Sequence, residues 1–144
     1  MYDALDVAEY VIHYEHSQDR SISNLRLQKL LYFVQAQFWV THNRACFSDA
    51  MQAWKFGPVI PVVYRKYMFY GSLDFPQALV TETDKIDDDD QALIQEALKQ
   101  CAQYSTSTLI ALTHGQQPWK EAYAREGDKT ISPDSMQAYF GGTS

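Results

Sequence analysis

The chain has little that would staple it together or carry it into a membrane. Its 144 residues include two cysteines, Cys46 and Cys101, at a spacing that fits no zinc or redox motif. A disulfide scaffold is excluded. Two reduced thiols in a cytoplasmic protein are the expected state, with one long-range bridge as the alternative. Five prolines and six glycines are too few for a collagenous or low-complexity chain. No apolar stretch approaches the ~20 residues of a membrane span. The acidic start, Met1-Tyr-Asp-Ala-Leu-Asp, lacks a basic segment followed by an apolar run, so no signal peptide is expected. The G-x-S-x-G, H-E-x-x-H, P-loop and G-x-G-x-x-G patterns are all missing. The reading is therefore not an enzyme, with no cofactor and no metal.

Bases are also scarce, 12 against 18 acids, for a formal net charge of −6 at pH 7. That balance argues against a nucleic-acid binder, which usually carries a basic footprint. The charge is unevenly spread, however. Residues 1–19 hold five acids and no Lys or Arg. Residues 20–66 hold seven bases (Arg20, Arg26, Lys29, Arg44, Lys55, Arg65, Lys66) and one acid, Asp49. Residues 67–144 hold five bases and twelve acids. A basic middle lies between two acidic flanks.

What is present is helical periodicity in one domain, 4–140, with a flexible tail at 141–144. The expected fold is mainly α, six or seven helices with at most a small β hairpin around 47–56. Leu5, Ala8, Val11 and Ile12 give one apolar face from residue 4 to about 16. The pattern is strongest over 24–42, where Leu27, Leu30, Leu31, Val34 and Phe38 follow the helical rule, with cap candidates at Ser21–Asn24. A second stripe, Gln28, Tyr32, Gln35 and Trp39, runs beside it and is free to pack under a neighbour or meet a partner. Gly57-Pro58 ends the hairpin region. Pro61 opens a helix to about Tyr70 that Gly71 closes. A short strand is expected at Ala78–Thr81. Helices follow over 88–104, from Ser105 to His114, from Pro118 to about Arg125, and from Ser132-Pro133 to Phe140. Asp87–Asp90 reads as an acidic cap at a helix N-terminus.

Candidate chemistry is sparse. His13 and His16, with Glu9 one turn earlier, begin a metal site that no further His or Cys completes. Cys46 reads as a small buried hydrophobe rather than a nucleophile, and His114 as a helix-terminal group that bonds the last carbonyls. The rings of Trp54, Phe56, Tyr64, Tyr67, Phe69 and Tyr70 lie beside Lys55, Arg65 and Lys66. Such interleaving serves a core with a solvated rim, a protein interface or a nucleic-acid surface. Lys55, Arg65, Lys66, Tyr67 and Tyr70 are the candidate partner-binding residues.

The run Leu25-Arg-Leu-Gln-Lys-Leu-Leu-Tyr-Phe-Val-Gln-Ala, followed by Phe47-Ser-Asp-Ala-Met-Gln-Ala-Trp-Lys-Phe-Gly-Pro-Val-Ile-Pro-Val-Val-Tyr, resembles the Panacea domain, the SocA-like antitoxin domain of phage-associated proteins. Leu112-Thr-His-Gly-Gln-Gln-Pro-Trp and the segment from Ile131 to Phe140 resemble its later elements, in the same order. The matching motif positions are Leu27, Gln28, Lys29, Leu30, Leu31, Tyr32, Ala53, Trp54, Gly57, Pro58, Tyr64, His114, Pro118 and Trp119. The resemblance implies an antitoxin that neutralises a cognate toxin protein by stoichiometric binding. At least one member of that family delivers its toxin to a cytosolic AAA+ protease; such a protease is a candidate further partner, not one that the resemblance itself implies. The alternative is a phage- or mobile-element-associated protein that meets nucleic acid through residues 55–70. Gln28, Tyr32, Trp54, His114 and Trp119 are expected to form one hydrogen-bonded cluster, because their buried N–H and O–H groups need partners.

Overall fold

A computed structural model describes residues 1–141; the rest of the tail expected at 141–144 lies outside the described residues. The fold is mainly α, with seven α-helices and a three-stranded antiparallel sheet among the described residues. Helix α1 spans Ala4–Ser17 and α2 Asn24–His42. Strands β1 (Met51–Trp54) and β2 (Gly57–Val59) follow. Helix α3 (Pro61–Tyr67) tightens into a 3-10 turn at Met68–Tyr70. Helices α4 (Asp88–Cys101), α5 (Thr106–His114) and α6 (Gln117–Ala124) lead to β3 (Thr130–Ile131) and α7 (Pro133–Phe140).

Helix α2 is the axle of the molecule. Ser23 caps it by accepting from the Arg26 amide at 3.3 Å, which satisfies one of the orphan donors of the first turn. Asn43 ends it in the left-handed conformation at φ 52°, which asparagine tolerates. Helices α1, α3, α4, α5 and α7 and strand β2 all pack on it. Both of its stripes are consequently buried, Leu27, Leu30, Leu31, Val34 and Phe38 on one and Gln28, Tyr32, Gln35 and Trp39 on the other. A helix surrounded in this way shows little amphipathicity. The second stripe packs under neighbours rather than facing a partner.

Three expectations need correction. The hairpin does not end at Gly57-Pro58. Those residues begin β2, and Trp54 pairs with Gly57 across the two-residue turn Lys55-Phe56. No strand forms at 78–81, where Leu79 closes a turn on the Pro76 carbonyl at 3.0 Å. The third strand is instead β3, paired with β1 through Met51–Ile131 and Gln52–Thr130. Asp87 is the cap residue of α4 but makes no side-chain cap bond. Asp88, Asp89 and Asp90 fill the first turn, where carboxylates favour the helix dipole. Asp90 does more than cap: it is buried, accepts from the Tyr2 hydroxyl at 2.5 Å, and meets Arg44 at 3.5 Å. It ties the N-terminus to α4.

Candidate functional site

The hairpin tip is the most heavily anchored surface feature. Carbonyls in a two-residue turn have few ladder partners, so they accept from side chains or water. Here the side chains come from three helices. Lys29 of α2 donates to the Pro58 carbonyl at 2.5 Å, and Trp119 Nε1 of α6 to the Trp54 carbonyl at 2.8 Å. His114 Nε2, at the end of α5, lies 3.0 Å from the Lys55 carbonyl, so that nitrogen carries the proton. Gln28 Oε1 accepts from the Ile60 amide just beyond β2 at 2.9 Å. Asn24 donates to the Tyr64 carbonyl at 3.0 Å and so fixes α3 beside the tip.

The rings extend this frame. His114, Trp119 and Tyr123 stack in a column with centroid separations of 4.1 and 4.5 Å. Trp54 meets Tyr64 edge-on at 5.1 Å. Gly57 sits at φ 103°, and a Cβ there would lie 2.9 Å from both Lys29 Nζ and Thr113 Oγ1. Glycine is required on both counts.

The five residues expected in one hydrogen-bonded cluster do converge on this region, but no two of their side chains bond each other; the one bond within the set runs from Trp119 Nε1 to the Trp54 backbone carbonyl. Trp54 Nε1 donates to Gln52 at 2.9 Å and the Tyr32 hydroxyl to Gln116 at 2.7 Å. Gln28 donates to Asn24 at 2.9 Å. His114 and Trp119 go to hairpin carbonyls. Unpaired backbone acceptors at the turn took the donors that side-chain reasoning had paired with one another. The other motif residues belong to the interior: Leu27, Leu30, Leu31, Tyr32 and Ala53 are fully buried, and Pro58 and Pro118 are buried beside them.

The basic middle also divides. Arg20 pairs with buried Glu15 at 2.6 Å, and Arg26 bonds Thr106 and the Cys101 carbonyl at 3.2 and 3.1 Å. Arg44 meets Asp90, and Lys29 is wholly buried. Desolvation lowers the Lys29 amine to about 7. Lys55, Arg65 and Lys66 remain exposed, and none forms an ion pair among the described residues. Tyr70 is half-buried against Phe75 at 5.4 Å. Tyr67 is only 2% exposed and packs on Phe75 at 5.2 Å. It is a core residue, not part of the surface. Its spacing of four from buried Val63 is the helical signal that identifies it.

Sequence reasoning passed over Met68 and Leu73, both exposed at the surface, Leu73 at 71%. Exposed Phe56 and Phe69 stand with them, at 55% and 92%. No helical period marks Leu73, because it lies in a loop. Cys46 is buried, and burial pushes its thiol up to about 12, so it is not a thiolate nucleophile at neutral pH. His13 Nδ1 faces the Val80 carbonyl at 3.4 Å and His16 is buried. Among the described residues no group of three or more His, Cys, Asp or Glu could hold a metal ion. No helix there is long and apolar enough to cross a membrane.

Fold and site together define a small helical domain that holds out a pinned hairpin tip flanked by unpaired cations and bare apolar side chains. The chain belongs to the family described as Antitoxin SocA-like, Panacea domain, whose model matches residues 27–120. It is 36% identical over 128 residues to Antitoxin SocA of Caulobacter vibrioides (strain NA1000 / CB15N), a match covering 81% of this chain and 68% of that protein. No solved structure matches.

Proposed function

We propose that this protein is an antitoxin that neutralises a toxin protein by direct, stoichiometric binding. The observation that carries the reading is membership of the antitoxin family over 27–120, a span that contains Lys29, His114 and Trp119, the three side chains that bond the hairpin carbonyls. The similar protein from Caulobacter is itself named an antitoxin. A preorganised surface suits this role, since ordering a loop on binding costs affinity. The surface runs from Lys55 through Arg65, Lys66 and Tyr70. We place the protein in the cytoplasm, where the two buried, unpaired thiols Cys46 and Cys101 are at home. The proposal extends to delivery of the bound toxin to a cytosolic AAA+ protease.

The test is genetic and biochemical. A reading frame beside this gene is expected to be lethal alone, tolerated with this protein, and co-purified with it in a fixed ratio. Arg65→Glu with Lys66→Glu should abolish neutralisation with the far-UV circular dichroism and Tm unchanged, because both side chains are exposed and unpaired. Full rescue by that double variant rules the patch out. A toxin half-life that does not shorten in the antitoxin's presence rules out the protease step.

A further inference from the structure

The hairpin tip and the turn after α3 share one surface, and its chemistry is mixed. A groove of about 350 Å³ runs between the start of α2 and the hairpin, lined by Leu25, Trp54, Phe56, Val59 and Tyr64, with Gly71 and Ser72 as its far wall. Met68, Phe69 and Leu73 lie exposed on the segment that carries that wall. Single exposed apolar residues need no explanation, but Leu25, Trp54 and Phe56 are exposed together in one groove on a pinned frame, and such a grouping marks an interaction site.

Charge decides what the site fits. Between residues 50 and 81 the chain carries Lys55, Arg65 and Lys66 and one acid, Asp74. The three cations are exposed and form no ion pair among the described residues. Lys55 lies over the Phe56 ring at 5.5 Å, at the groove itself. Arg65 and Lys66 follow the groove residue Tyr64 on α3, Arg65 on the side that faces Asp49 and Gln52. A partner that buries its apolar side chains here meets Lys55 at the groove and two further cations on the adjoining helix, and complementary potentials select partners and orient them. Trp54, Phe56 and Tyr64 offer stacking faces to bases, so nucleic acid is the competing occupant that the crosslink below separates. Three exposed cations are fewer than the extended basic face on which a nucleic-acid backbone is bound.

We infer that the groove between the hairpin tip and α2 takes an acidic, apolar segment of the toxin, seating large apolar side chains between Leu25, Trp54, Phe56 and Tyr64 and presenting Asp or Glu to Lys55, Arg65 and Lys66. This rests on the antitoxin reading above and adds the chemistry of the partner to it.

The test places p-benzoylphenylalanine at Phe69 of the full chain, and separately at Ala138 on α7, in cells carrying the adjacent toxic reading frame. Light should join position 69 to one toxin peptide that combines acidic with large apolar residues. Lys55→Glu, Arg65→Glu and Lys66→Glu together should cut that crosslink about tenfold or more, at unchanged Tm. Lys55→Arg with Lys66→Arg should keep it. A crosslink from position 69 to nucleic acid, to a second copy of this chain or to a basic peptide overturns the inference. So does a toxin crosslink from position 138 alone. If the charge-reversed chain still neutralises, this surface fails while the antitoxin reading stands. If the wild-type chain does not neutralise, both fail.

Discussion

Lys29 sits in the interior with one partner, the Pro58 carbonyl. Burial without a counter-ion penalises its charged form, which is why the amine falls from 10.5 to about 7. The consequence for stability has a definite sign. Between about 7 and 10.5 the unfolded chain holds a proton that the folded chain has released, so this residue makes stability rise with pH. Below about 7 both states are protonated and the full cost of burying the charge is present. In Lys29→Met the titration is gone, although the Pro58 carbonyl loses its donor. The Tm gap between Lys29→Met and wild type should shift in favour of wild type from pH 6 to pH 10, by the equivalent of a few kcal/mol. A gap independent of pH over that range refutes the buried charge. The sequence marked Lys29 as a motif position and counted it in the basic middle. Nothing in local spacing says that a lysine beside Leu30 turns inward; that depends on an unpaired carbonyl 29 residues further on.

At the level of elements, the hairpin owes its position to helices distant in sequence. Trp119 reaches it across 65 residues and His114 across 59. A neutral hydrogen bond of this kind contributes about 0.5–1.5 kcal/mol, so neither alone decides the fold. Their effect should be local. Trp119→Phe keeps the stack on His114 and Tyr123 but removes the donor to the Trp54 carbonyl. Amide hydrogen exchange at 54–57 should quicken several-fold, on the order of the loss of one such bond, while α2 amides stay protected. Equal acceleration in α2 overturns the local role. Helix boundaries were legible because caps and apolar spacing are local: Ser23, Ser105 and Ser132 each accept from an amide three residues on. Strands were less legible. Gly57-Pro58 reads as a stop signal, yet it pairs with β1 because Gly57 can take φ 103°. Ala78–Thr81 has strand-forming residues but sits beside no sheet edge, and local preference alone does not make a strand.

For the whole molecule, a net charge of −6 and a positive tip act over different distances. Salt near physiological strength screens charges beyond about 8–10 Å, so an approaching partner feels Lys55, Arg65 and Lys66 more than the acidic flanks. Toxin association should therefore speed up about tenfold when ionic strength falls from roughly 0.3 to 0.05 M, and charge reversal at these three positions should flatten that dependence. Stopped-flow or surface-binding kinetics would measure it, and a salt-independent on-rate contradicts electrostatic recognition. By itself the sequence determined the helices, the core stripe of α2, the turn glycine at 57 and the family, because capping, periodicity and motif order are encoded within short stretches. Only the tertiary structure decided which bases are free. Four of the seven in the basic middle are spent on Glu15, Asp90, Thr106 and backbone carbonyls, and Tyr67 turns into the core. Charge and rings in a sequence do not reveal their partners, because the atoms that claim them arrive from segments brought together only when the chain folds.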